Sequence, residues 1–386
     1  MQKTPNAPQR KKRWVVALCI ALAMTALNVA LSVLKNNVEF ADFVCNNIAR
    51  PYLAGMASLT AHLPFSFFEL CLIALILLGI VLFVRFILHA KRRDGLALRL
   101  VFGVASAVLA FSAFYTTVVG FAYTRTPADL PSYNPTSKEE AVLLATKYYE
   151  DMADVCARIE TDDNGRVIFP FGKEELCQII NDEYDRLSTD YPEIADHLYD
   201  GAVALKTIVN SWFMSECYIA GIYTGPTGEA NVNGDMPFAQ IISTACHEVA
   251  HGKGVMREDE ANAFAYLITL TSNNDYVRFA GYLATYTRMA EVLQYYTGSA
   301  ATPNPIIAEH WAQYYFWQDH GKLADLAEKI NDLYLKLQGY IKGVLGYRDV
   351  SVITPSINPD TGEVQYDITY SPVQKLIFAI VRDNLS

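Results

Sequence analysis

Two histidines four residues apart, with a glutamate beside the first, are the residues of this chain best spaced for chemistry: His247, Glu248 and His251, in the pattern H-E-x-x-H. On a helix, positions i and i+4 lie one above the other on the same face, so both imidazoles can grip one zinc ion from one side. Glu248 is placed to take a proton from a water that such an ion activates. A catalytic zinc takes three protein ligands and leaves a fourth position open, so a third ligand is required. Gly252 and Gly254 break the helix, and a second helical stretch starts near Arg257 with Glu258 and Glu260 in its first turn. Glu258 is the preferred third ligand and Glu260 the alternative. They lie two residues apart, roughly 200° round a helix, so both cannot face one metal. Asn262 shares a face with Glu258. From there its amide oxygen can accept an imidazole N–H and orient the ring from behind without bringing charge.

These residues need elements to hold them. Ile242, Ala245 and Val249 form an apolar stripe on the far side of the first helix, and Ala261, Phe264, Ala265 and Ile268 do so for the second. Each helix can then bury one side and turn its polar side to the other. The stretch before the motif, Cys217 to Asn233, has strand character broken by Gly225, Pro226 and Gly228. It reads as an edge strand able to bind an extended peptide, or as an ordinary hairpin on the core. Asp235 or Asn233 is expected to cap the zinc helix, with Pro237 in its first turn. A peptidase also needs a donor for the developing oxyanion, and Tyr223, Tyr266, Tyr282, Tyr286 and His310 are available. Cys246 faces another side of the helix and reads as a buried apolar residue.

The composition places this site in a membrane protein. The 386 residues are 52% hydrophobic, and charge is divided unevenly: residues 1 to 123 hold 12 Lys and Arg against 4 Asp and Glu, whereas 124 to 386 hold 19 against 37. An acidic globular part argues against nucleic acid as partner. After a basic tail, 1 to 13, three apolar stretches at about 14–34, 67–88 and 100–122 are each long enough to span a bilayer. A cleaved signal peptide is the alternative for the first, but its apolar run is long for that role. Residues 35 to 65 read as a connecting loop. Arg10 to Arg13 and the basic turn at 91 to 99 both belong on the cytoplasmic side, which puts residues 124 to 386 outside. Within that domain helices are expected at 137–159, with Ser137 and Glu140 as a capping box, and at 172–187, 199–213, 276–296, 307–320 and 323–342. Cys156 and Cys177 are candidates for a disulfide there.

Several segments resemble a known family. GIYTGPTGEANVN, HEVAHGKGVMREDEANAFAYL, FAGYL and NDLYLKLQGYIKGV are similar to an uncharacterised bacterial membrane-protein family, domain of unknown function number 3810. The H-E-x-x-H followed by E-A-N is also similar to zinc peptidases of the ImmA/IrrE type, where the gap is longer. The resemblance implies a zincin-like, mostly helical metallopeptidase domain on the outer face of a bacterial cell membrane, with no substrate implied. The expectation is therefore a mainly α protein: three N-terminal transmembrane helices (residues 14–123), then a mostly helical, zincin-like α+β extracytoplasmic domain (124–386). It would be a zinc-dependent peptidase acting on peptides or proteins, with the lipid bilayer as its other partner. The alternative is a receptor or scaffold with a structural or decayed zinc site. An intramembrane protease is disfavoured, because Lys253, Arg257, Glu258, Asp259 and Glu260 beside the motif are too highly charged for hydrocarbon.

Overall fold

The computed structural model describes residues 7–90, 96–299, 301–318, 352–357 and 364–385. The basic residues 91 to 94 and the helix expected at 323–342 lie outside the described residues. The chain divides into two compact units. One comprises residues 1–127 with Tyr199–Ala204 and Thr224–Glu229; the other holds the rest.

The first unit is built on three helices long and apolar enough to cross a membrane: α1 (Ala7–Leu34, apolar from Trp14), α4 (Phe67–Ala90) and α5 (Leu96–Val118). At 1.5 Å per residue their apolar stretches of 21 to 24 residues reach the thickness of a hydrocarbon core. None of the residues of α4 is buried by protein, and a helix apolar all round needs an apolar surrounding. α1 packs on α5, where Asn28 Nδ2 donates to the Leu109 carbonyl at 2.9 Å and Trp14 stacks on Phe102. The stretch expected as a loop at 35–65 is instead largely helical: α2 (Val38–Val44), a π turn at Cys45–Ala49 and α3 (Arg50–Ala61). Asn37 starts it by accepting the Phe40 N–H. The inserted segments are tied in by polar contacts. Glu229, fully buried, accepts the Phe67 and Phe68 N–H groups at 2.9 and 2.8 Å and so caps α4.

The second unit is mostly helical. Its helices are α6 (Lys138–Arg158), α7 (Lys173–Asp190), the short α8 (Pro192–Ala195) and α9 (Ser211–Glu216), α10 (Phe238–Gly252), α11 (Glu258–Thr271), α12 (Asp275–Thr297), α13 (Pro305–Gln318) and α14 (Pro372–Asp383). A three-stranded sheet has the order β1-β3-β2, formed by β1 (Ala204–Ile208), β2 (Gly221–Thr224) and β3 (Glu229–Asn233). The four residues between β2 and β3 can join only antiparallel neighbours. A separate pair, β4 (Val352–Ile357) and β5 (Val364–Thr369), is antiparallel. The helix expected at 199–213 is thus a strand followed by a short helix, because Leu205-Lys206-Thr207-Ile208 pairs along β3 and tertiary pairing overrides local helical preference. Ser137 caps α6 as expected, but the Glu140 carboxylate reaches back to Thr136 rather than to Ser137. Cys156 and Cys177 carry free thiols.

The core lies where α10, α11 and α12 pack on one another, with α6 and α14 outside α12 and α11. Ile242, Ala245, Val249, Ala261, Phe264 and Ile268, the two stripes read from the sequence, are all fully buried there. Tyr184 of α7 donates to the Cys246 carbonyl at 2.7 Å, and Ser243 of α10 to the Ala280 carbonyl at 3.1 Å. α11 and α12 cross closely at Gly281, where a Cβ would lie 2.6 Å from Thr269 Oγ1 and 3.0 Å from the Thr269 carbonyl carbon. Replacing glycine by alanine within a helix ordinarily stabilises by about 1 kcal/mol. Here the backbone in the way reverses the sign, and Gly281→Ala is expected to lose about 1–2 kcal/mol of stability in urea unfolding, the cost of overpacking.

Candidate metal centre

α10 carries His247, Glu248 and His251, and α11 starts at Glu258, one tight turn later. The turn is closed by Val255 N–H to the Ala250 carbonyl, and Gly254 takes φ +94°, where a side chain would be strained. Neither Asn233 nor Asp235 caps α10, whose N-cap is Pro237. Asn233 is committed elsewhere: its amide donates to Ser215 and to the Ile219 carbonyl, and its oxygen accepts the Asp235 N–H.

Three donors converge. His247 Nε2 lies 3.1 Å from His251 Nε2 and 3.2 Å from Glu258 Oε2, and His251 Nε2 lies 3.7 Å from Glu258 Oε1. Tetrahedral donors held about 2.0–2.1 Å from a zinc ion stand about 3.3 Å from one another, so this triangle has the dimensions of three ligands round one centre. Among the described residues, it is the grouping of His, Cys, Asp and Glu that fits a metal. The tautomer fits as well. His251 Nδ1 is 2.7 Å from the Val255 carbonyl, which can only accept, so the proton sits on Nδ1 and the Nε2 lone pair faces the other donors. Asn262 interacts with the other imidazole and favours its charged form.

The electrostatics are set by partial burial and by the charges that face one another. Burial pushes the Glu248 carboxyl up to about 7; His247 opposes this, Glu258 adds to it, and a hydrogen bond from the Tyr223 N–H opposes it. Burial and the neighbouring His247 bring His251 down to about 4, keeping it neutral and able to ligate. For His247, burial works against protonation, but Glu258, the charge of Glu248 and Asn262 together outweigh it and the imidazole is raised. Cys246 is fully buried, with its thiol pushed well up by that burial, and stands outside the cluster.

Glu260 points elsewhere. Its carboxylate accepts the Ala128 N–H at 2.7 Å, pairs with Arg257 Nη2 at 2.9 Å and lies 3.4 Å from His197 Nε2. Of the candidate oxyanion donors, Tyr286 is spent on the Ala301 carbonyl and His310 on Gln240, both outside the cluster. The Tyr223 ring lies beside a cluster residue, 6.2 Å from that of His251. The Val255 carbonyl and the Tyr223 N–H carry no side-chain signal, and sequence reading missed both. An incoming peptide strand on β2 would also find the Tyr223 N–H already engaged by Glu248.

A family model described as a protein of unknown function (DUF3810) matches residues 46–352, and the chain belongs to that family. No curated protein and no solved structure matches it.

Two outcomes separate the glutamates. Glu258→Ala is expected to abolish binding of zinc to the purified full-length protein, measured by elemental analysis, whereas Glu260→Ala keeps the metal and loses about 3 kcal/mol of stability as a broken buried ion pair. The pH sign follows from Glu260. Burial alone would raise its pKa, but His197, Arg257 and the Ala128 N–H outweigh that and hold it below the usual value. Its contribution is complete above the unfolded pKa and is lost as pH falls through the lower folded one. An acid titration of unfolding free energy should therefore be shallower for Glu260→Gln than for the parent protein.

Proposed function

We propose that this chain is a membrane-anchored, zinc-dependent metallopeptidase with a zincin-like catalytic domain, acting outside the cytoplasm on peptide or protein substrates. The observation that carries the reading is the donor triangle of His247, His251 and Glu258, with Glu248 alongside it. Three protein donors leave a coordination position for water, as catalytic zinc sites do, whereas structural sites close the fourth with protein. Imidazole and carboxylate donors suit zinc among the available divalent ions. The basic residues Arg10 to Arg13 and those at 91–99 support a cytoplasmic N-terminus. With three spans, that orientation would put residues 124 to 386 outside the cytoplasm.

A zinc ion held here would supply Lewis acidity, polarising the scissile carbonyl and lowering the pKa of water. The chain's own residues do the rest. His251, fixed by the Val255 carbonyl, and His247 present their Nε2 atoms to the metal, and Glu258 supplies the negative charge that offsets it. Glu248 takes the proton of the attacking water and passes it to the leaving amine. Burial raises the Glu248 carboxyl and so strengthens it as a base for that proton.

The full-length protein loaded with zinc is expected to cleave an unstructured polypeptide such as labelled casein. Glu248→Gln should keep about one zinc per chain and lose at least ~100-fold in turnover. A protein whose zinc is purely structural would cleave nothing in either form.

A further inference from the structure

β2 is an edge strand, with β3 on one side only. The Asn233 N–H donates to the Ala220 carbonyl, so by alternation the main chain at Gly221 and Tyr223 turns away from β3. On that outer side it meets α10. The Tyr223 N–H reaches the Glu248 carboxylate, and Gly221 lies against Glu248 and Thr244, which share a helix face four residues apart. A Cβ at position 221 would stand 2.5 Å from Glu248 Oε1, 2.7 Å from its Cγ and 2.7 Å from Thr244 Cγ2. No real Cβ comes so close to a heavy atom. Gly221 has an ordinary backbone conformation, so it is the space and not the φ angle that demands glycine.

We propose that Gly221 is a positioning residue for Glu248: its missing side chain leaves the slot in which the carboxylate is held between α10 and the edge strand, beside the metal ligands. This rests on the peptidase reading for its consequence in turnover but not for the contact itself. Glutamate has three rotatable side-chain bonds, and a free one would sample many orientations away from the reacting water. Packing on Gly221 and the bond from the Tyr223 N–H select one of them before substrate arrives. Of the groups that a Cβ would strike, Glu248 is the one with a mobile end, so a methyl at position 221 displaces the carboxylate. The atoms nearest that position belong to Glu248 and Thr244 and not to His247, His251 or Glu258, so the metal ligands should keep their geometry. A misplacement of about 1 Å in a reacting group costs on the order of 100-fold in rate.

The test uses the full-length protein in detergent, with Thr244→Ser in every variant to remove the second methyl contact. Gly221→Ala is compared in a Glu248 and in a Glu248→Ala background for zinc content, thermal midpoint and casein cleavage. Gly221→Ala should bind one zinc per chain like its parent, fall about 100-fold in kcat with KM little changed, and lower the thermal midpoint when Glu248 is present but not when residue 248 is alanine. An undiminished kcat overturns the proposal. So does an equal loss of thermal midpoint in both backgrounds, which would place the clash on the backbone. If the parent cleaves nothing, the peptidase reading fails, and the dependence of the midpoint on Glu248 alone decides whether Gly221 holds the carboxylate.

Discussion

Two imidazole nitrogens and a carboxylate, brought within 3.1 to 3.7 Å of one another and half-buried, define the constraint on which the second unit depends. Two unprotonated ring nitrogens do not attract each other, and a carboxylate partly withdrawn from water needs a partner. A positive charge among them, a metal ion or a proton on His247, would meet both demands, while the fold must keep the donors convergent. It does so by rigid means. α10 and α11 pack together along apolar stripes and are joined by a turn that Gly254 makes possible. The start of α11 is locked by Glu260, Arg257, His197 and the Ala128 N–H. That lock sets the helical phase, and with Glu260 turned into it, Glu258 is turned toward α10. The two glutamates thus divide the work: one fixes the helix and the other completes the donor set.

Much of this was legible in the residues. The i, i+4 histidines, the apolar stripes behind them and the three apolar spans follow from periodicity and length, and the structure has them where expected except that the third span, read at about 100–122, lies one turn earlier at Leu96–Val118. The choice between Glu258 and Glu260 was not legible. It turns on Ala128 and His197, more than 60 residues away in sequence, and no local pattern reveals them. The same limit explains the misread stretch at 199–213. Its apolar content suits either element, and only pairing with β3 makes Ala204–Ile208 a strand. The capping of α10 was misread because Asn233, an apt capping residue by type, is consumed by Ser215, Ile219 and Asp235. Gly221 carried a readable hint, since glycine inside a strand marks a close approach of another group. What approaches it was visible only in three dimensions.

Electrostatics tie α10 to the edge strand β2. Glu248 sits at 6% exposure, and that burial raises its carboxyl to about 7. Burial that deep in a carboxylate is destabilising by itself, and the Tyr223 N–H and the nearby His247 are its compensation. Strain of this kind is tolerated at sites and rare elsewhere. In the first unit the comparable device is Glu229, a fully buried carboxylate spent on the N-terminus of α4. There the helix end offers two N–H groups, and the carboxylate caps them.

The central claim is that His247, His251 and Glu258 hold one metal ion, and X-ray absorption at the zinc edge of the full-length protein carrying one equivalent of zinc tests it most directly. The account predicts two imidazole shells at about 2.0–2.1 Å with oxygen completing the sphere, and their loss in His251→Ala. A sulfur shell at about 2.3 Å would contradict it by placing the metal on a cysteine, and a spectrum of all-oxygen ligation unchanged by His251→Ala would place it elsewhere altogether.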